Sequence, residues 1–176
     1  MRFEATPIEG VWVVEPERRE DPRGYFARTW CAEEFRARGL RDALSQCSVS
    51  FNAKAGTLRG MHYQTAPEEE AKLVSCPRGR IWDVALDLRR GSPTYCQWYG
   101  AELSAENGRA LYVPPGCAHG MVTLEDDALV SYFISTPYSP AHQAAVRWDD
   151  PAFGIAWPVA SPTMSDRDRA LPDFVP

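Results

Sequence analysis

The sequence predicts an all-β fold, an antiparallel sandwich or barrel, and three features carry that expectation. Twelve glycines and fifteen prolines punctuate the 176 residues at short intervals instead of pooling in one linker. Between them lie short runs rich in Val, Ile, Tyr, Trp and Thr, residue types that fit a pleated, half-buried surface. The runs are not separated by the helical crossovers that a parallel sheet would require.

Along the chain, Val11–Glu15 is the first predicted strand, β-branched and halted at Pro16. Leu44–Asn52 and Thr57–Gln64 follow, parted by a turn at Gly56. Ala71–Cys76 ends against Pro77. Arg80–Leu88 is the clearest, because alternation places Trp82, Val84, Leu86 and Leu88 on one face. Tyr95–Leu103, Ala110–Val113, Cys117–Leu124 and Ala128–Ser135 complete the set, each close to a Gly or Pro turn. Only Ala32–Arg38 and Ser165–Leu171 read as helix, both short and charged. With no internal repeat or composition boundary, residues 1–176 are expected to form a single domain.

Composition narrows the function classes. Apolar residues at 44% and charged residues at 24% exclude a disordered or fibrous chain. No apolar run approaches the roughly 18 residues of a membrane span. A net charge of −5 argues against general nucleic-acid binding, although a small Arg patch could still hold one anion. The beginning, MRFEATPIEG, lacks the basic and apolar regions of a secretory signal, so a cytoplasmic chain is expected. In that compartment Cys31, Cys47, Cys76, Cys96 and Cys117, odd in number and without a CxxC pair, read as reduced thiols.

Few residues can carry chemistry. Histidines are three: His62 in GTLRGMHYQ, His119 in PPGCAHG, and His142. A lone strand histidine is ordinarily a hydrogen-bonded structural residue, so spacing alone does not make His62 functional. A metal site would need converging ligands such as an HxH pair, which this chain lacks, so no metal is expected. Lys54 and Lys72 are the only lysines among nineteen basic residues, which makes Lys72 conspicuous as a compact charge that Arg does not imitate. Tyr132 shares an inward apolar face with Val130 and Ile134, where a core tyrosine would do equally well. Asp168 in SDRD reads as surface charge, and Trp98, Tyr99 and Tyr138 read as either core or stacking wall.

Taken together, the motifs resemble the dTDP-4-dehydrorhamnose 3,5-epimerase family, sugar-nucleotide epimerases of the cupin superfamily. The likeness runs through DPRGYF (Asp21–Phe26), GTLRGMHYQ (Gly56–Gln64), EAKLV (Glu70–Val74) and GRIWDVALDLRRGSPT (Gly79–Thr94). It continues through LYVPPGCAHG (Leu111–Gly120), SYFISTPYSP (Ser131–Pro140), WDDPAFGIAWP (Trp148–Pro158) and SDRD (Ser165–Asp168). The resemblance implies a cupin-like jelly roll, a homodimer, no cofactor, and a nucleotide-linked 4-keto-6-deoxyhexose inverted at C3 and C5. It implies His62 as the base, Asp168 as its support, Tyr132 as the acid from the opposite ring face, and Lys72 at the enolate oxygen. Arg23, Arg59 and His119 match positions that contact the anionic ligand, and Phe26 and Tyr138 match aromatic positions near sugar and base.

These residue types suit the task. Imidazole, with a pKa of about 6.5, is largely a free base at neutral pH, and a phenol of about 10 remains an acid. The carbon acid beside a ketone is weak, so its enolate needs a placed cation. Arg59 and His62, however, are three residues apart and would fall on opposite strand faces; a bulge at Gly60 would reconcile them. Departures from the family pattern lie in ligand contacts: Arg28 and Gln143 where carboxylates are usual, Gln46-Cys47-Ser48 for Gln-x-Asn, and Arg167 for Lys. They leave CDP- or GDP-linked sugars and single-centre inversion as alternatives to dTDP and double inversion. A cupin 3,4-ketoisomerase, a non-catalytic sugar-nucleotide-binding module and a metal-dependent cupin oxygenase are the remaining rivals.

Overall fold

The structure is a computed structural model and describes residues 1–175. In chain order its strands are β1 (Arg2–Ala5), β2 (Trp12–Glu15), β3 (Arg19–Asp21), β4 (Gly24–Phe26), β5 (Gln46–Asn52) and β6 (Leu58–Gln64). Then come β7 (Lys72–Arg78), β8 (Arg80–Asp87), β9 (Trp98–Ser104), β10 (Ala110–Val113), β11 (Cys117–Thr123), β12 (Ala128–Ile134) and β13 (Gln143–Ala145). Helix α1 (Ala32–Arg36) follows β4, and α2 (Asp166–Arg169) lies near the C-terminus.

Two antiparallel sheets face each other, one ordered β1-β2-β10-β7-β12-β5 and the other β13-β6-β11-β8-β9. From β5 to β8 each strand lies in the sheet opposite its predecessor, and the same holds from β9 to β13. This is the jelly-roll sandwich that the sequence led us to expect. Such crossing needs tight corners. Gly79, the single residue between β7 and β8, adopts φ +80°, where a side chain would be strained, and a Cβ there would press on Ala128 at 3.1 Å.

Between the sheets, Val13, Val74, Ile81, Leu103, Leu111, Met121 and Val130 form the central core. Beyond the six-stranded sheet, Phe35 of α1 is 1% exposed and meets Phe3 and Tyr112 edge-on. Burying one such ring contributes about 1.5–3 kcal/mol, which is what holds so short a helix in place. Beyond the five-stranded sheet, Val84, Leu86 and Met61 are covered by Val146 and Phe153 from the C-terminal segment.

Strand β8 keeps the shared face read from the sequence, with Trp82, Val84, Leu86 and Leu88 in one cluster, and adds a second buried face. The face with Val84 and Leu86 is buried, but so is the other, with Ile81, Asp83 and Ala85. A central strand covered on both sides does not show the polar alternation of a half-exposed one. Strands β1, β3, β4 and β13 were not anticipated, since stretches such as RED and GYF carry little β signal. Residues 95–97 form a turn instead of the start of β9, and both helices end sooner than expected, at Arg36 and Arg169.

Candidate active site

A cavity of about 480 Å³ opens between the sheets. His62, Lys72, Tyr132, Asp168, Arg59, His119 and Arg167 all line it, joined by Ser50. Scattered over more than a hundred positions, these side chains meet because the sheet-crossing topology brings β5, β6, β7, β11 and β12 around one space.

Strand β6 supplies two of them through the expected irregularity. His62 pairs with His119 of β11, while Arg59 pairs with Met121, so three steps on β6 match two on β11. The extra residue is a bulge beside Gly60, and it turns Arg59 to the same side as His62. Gly60 has φ +144°, and a Cβ on it would lie 2.5 Å from the Cα of Gly120. Only glycine allows that approach.

His62 Nε2 lies 2.9 Å from Asp168 Oδ1. A carboxylate only accepts, so Nε2 carries the hydrogen and the Nδ1 lone pair is free. Burial holds His62 below the usual histidine range, with Asp168 opposing that shift. Asp168 itself is 5% exposed rather than the surface charge its sequence suggests. Local devices deliver it: Thr163 bridges to Thr57, and Ser165 caps α2 by accepting from the Asp168 amide at 3.1 Å.

The remaining polar wall is paired in a similar way. Lys72 Nζ lies 2.8 Å from Glu70 Oε1 and donates to the His62 carbonyl at 3.2 Å. His119 Nε2 meets Asp83 Oδ1 at 2.8 Å, and Asp83 is fully buried, which pushes its carboxyl above the usual range. Tyr132 sits edge-on to the His119 ring at 5.9 Å, with its hydroxyl 3.3 Å from Ser50 Oγ. Part of Tyr132 is open to the cavity, yet burial pushes its hydroxyl up to about 12.

Other residues singled out by sequence lie apart from this cavity. Gln46, Tyr138 and Gln143 form a cluster of their own, where the Tyr138 hydroxyl donates to Gln143 Oε1 at 2.7 Å and its amide to Gln46 Oε1 at 3.2 Å. Ser48 lies on β5 at the register position of Tyr132 and is exposed. Trp98 and Tyr99 pack against buried clusters, whereas Tyr138 is 55% exposed. Arg23 and Phe26 belong to the exposed β3–β4 hairpin, and Arg28 pairs with Glu34 beside α1. Within a single chain these three do not reach the cavity wall. Sequence reasoning missed Ser50, Asp83 and Glu70; a carboxylate alternating with Ile81 and Ala85 inside an apolar strand was the available signal for Asp83. Among the described residues, no group of three His, Cys, Asp or Glu is arranged to hold a metal, and no helix is long and apolar enough to cross a membrane.

Comparison with known proteins places this geometry. The sequence profile of the family described as dTDP-4-dehydrorhamnose 3,5-epimerase matches residues 5–175. The chain belongs to that family. One relative of that name, from Sinorhizobium fredii (strain NBRC 101917 / NGR234), is 43% identical over 99% of this chain and 90% of its own length. A dTDP-4-dehydrorhamnose 3-epimerase from Streptomyces niveus is 40% identical, over 96% of this chain and 82% of that protein. Among solved structures, the dTDP-4-dehydrorhamnose 3,5-epimerase of Bacillus anthracis str. Ames, with TDP and PPi bound, superposes with a TM-score of 0.94 at 40% identity. That alignment covers 98% of this chain and 99% of the other. The cupin-type jelly roll implied by the sequence motifs is thus the family's fold, and the chain is an epimerase of the isomerase class.

Proposed function

We propose that this protein epimerises a dTDP-linked 4-keto-6-deoxyhexose at C3, C5 or both, through an enolate and without a cofactor. One observation carries the mechanism: His62 on the five-stranded sheet and Tyr132 on the six-stranded sheet reach the same cavity from opposite sides. A sugar ring lying between the sheets offers one face to each. Inversion requires removal of a proton from one face and return to the other, whereas a single base acting alone would give only exchange.

His62 Nδ1 takes the proton alpha to the ketone, and Asp168 stabilises the imidazolium that forms. Lys72 supports the negative charge developing on the ketone oxygen. Tyr132 then donates to carbon from the opposite side. Arg59, His119 and Arg167 give the cavity the donors that suit an anionic diphosphate. Gln46, Ser48, Tyr138 and Gln143 serve the nucleoside side of the ligand.

The exposed Phe26, Val49 and Phe51 support a homodimer, in which a second copy covers apolar surface. Arg23, Phe26 and Arg28 would then act on ligand bound by the other copy. All five cysteines are free, which suits the reducing cytoplasm. The product would supply deoxysugar for surface polysaccharide or natural-product glycosylation. A second reading, inversion of C3 alone, is favoured by the similarity to the Streptomyces niveus 3-epimerase.

The test is deuterium incorporation from heavy water into dTDP-4-keto-6-deoxyglucose, followed by NMR with His62→Ala as background. Label at C3 and C5 with inverted products is the expected result. Label at one carbon assigns a monofunctional enzyme, and a ketone moved to C3 assigns a ketoisomerase. Tight binding without label above background, repeated with CDP- and GDP-linked ketosugars, would overturn the enzymatic reading in favour of a binding module.

A further inference from the structure

Tyr132 can act as an acid only if its own hydrogen points into the cavity, and a neighbouring hydroxyl could equally well hold that hydrogen. Ser50 is that neighbour, with 3.3 Å between the oxygens. What lies behind Ser50 favours one direction: its oxygen accepts from Asn52, and among the described residues Tyr132 Oη is then the acceptor within reach of the Ser50 hydrogen. Arg59 Nε donates to Asn52 Oδ1 at 2.8 Å. A guanidinium has no acceptor, so this contact fixes the Asn52 amide with its oxygen toward Arg59 and its nitrogen away. The nitrogen, Nδ2, accordingly faces Ser50 Oγ at 3.4 Å, with the carbonyls of Ser50 and Ala128 at 3.3 and 3.4 Å. Asn52 is 2% exposed, so no bulk water competes for these positions.

Resting on the reading of Tyr132 as the acid, we propose that Arg59, Asn52 and Ser50 form a one-way chain of hydrogen-bond donors that holds the Tyr132 hydroxyl with its proton aimed at the substrate. Asn52 donates to Ser50, Ser50 donates to Tyr132 Oη, and Tyr132 is left to donate into the cavity. Ser50 and Asn52 are positioning residues, while Arg59 keeps its terminal nitrogens for ligand. When the Tyr132 O–H bond breaks and the new C–H bond forms, the Ser50 hydrogen bond is retained and strengthens toward the phenolate. Burial and the nearby Asp83 carboxyl push against ionisation of Tyr132, whereas Ser50 and Arg59 favour it, so the chain supplies what proton donation needs.

Direction is testable because Asn52→Asp keeps the shape and reverses the polarity. A carboxylate would pair with Arg59 and accept from Ser50, which would turn Ser50 into an acceptor for the Tyr132 proton. Deuterium wash-in, which does not need Tyr132, and net inversion, which does, are measured separately for each variant. Ser50→Ala and Asn52→Asp should lower inversion by about 10- to 100-fold while wash-in stays within about twofold, the same partition expected of Tyr132→Phe. Ser50→Thr, which restores a hydroxyl, should recover inversion. If Asn52→Asp fails to fold, the pair Ser50→Ala and Ser50→Thr decides alone. Wild-type inversion in Ser50→Ala, or a parallel fall of wash-in and inversion, would overturn the donor chain while leaving the epimerase reading intact. Wild-type inversion in Tyr132→Phe would instead remove Tyr132 as the acid, and the chain with it.

Discussion

Asp168→Asn separates the charge of the His62 partner from its geometry. The amide oxygen can still accept from His62 Nε2 across the 2.9 Å contact, so the ring stays oriented and only the negative charge is lost. In the native protein burial is the largest influence on His62 and lowers its pKa, while Asp168 raises it. Removing the group that raises the pKa lets it fall further. Proton abstraction requires neutral His62, so the acid limb of the wash-in rate should move to lower pH. The His62 side chain is 31% exposed and that of Asp168 7%, a partly buried, charge-assisted contact of about 1.5–3 kcal/mol. That energy corresponds to a downward move of about one to two pH units. A similar amount is lost from the imidazolium as it forms, so the plateau rate should drop about 10- to 100-fold. The assay is deuterium wash-in at C3 and C5 by NMR, from about pH 4 to pH 9, a range wide enough to follow the limb downward. An acid limb that stays in place or moves upward, with an unchanged plateau, would refute any electrostatic role for Asp168.

Three further substitutions, two of them combined, probe how the site is held. Gly60→Ala places a side chain at φ +144° and 2.5 Å from the Gly120 backbone, a cost of about 3 kcal/mol. A thermal melt should show the midpoint falling by about 6–12 °C, and a midpoint within 2 °C of wild type would mean that the bulge does not need glycine. Lys72→Met leaves Glu70 buried without its cation, which should destabilise the fold by about 3–5 kcal/mol. Adding Glu70→Gln should restore the melting temperature without restoring wash-in; joint recovery of both would show Lys72 to be structural only.

Much of the architecture was legible because strands of a sandwich write themselves locally. Runs such as β8 and β12 are rich in apolar and β-branched residues and end at turns, so their positions follow from the sequence. Short strands such as β3 and β13 do not, since their pairing depends on neighbours that local composition does not encode. Alternation gives the face of a residue within its own strand, which is how Tyr132 could be directed inward. The side chain that meets it from another strand is not encoded there. Asp168 shows the difference: it lies 106 positions from His62 and looks like surface charge until the Thr57–Thr163 bridge carries α2 back over the cavity. The bulge at Gly60 was accessible only because two residues were required on one face at a spacing that forbids it.

Burial prepares both proposed proton-transfer groups at once. Low dielectric disfavours charge whatever its sign, so it lowers His62 and raises Tyr132 to about 12. Each is thereby held in its neutral form, which for imidazole is the base and for phenol is the acid. Neither needs the other to set its protonation state, and they can stand on opposite sheets with a substrate between them. The cost of burial falls on the charged products of transfer, imidazolium, enolate and phenolate. Partners for these are already in place before substrate arrives: Asp168 beside His62, Lys72 facing the cavity, and Ser50 backed by Asn52 and Arg59 beside Tyr132. Such preorganisation favours the transition state over the resting state, because the partners act fully only once charge develops.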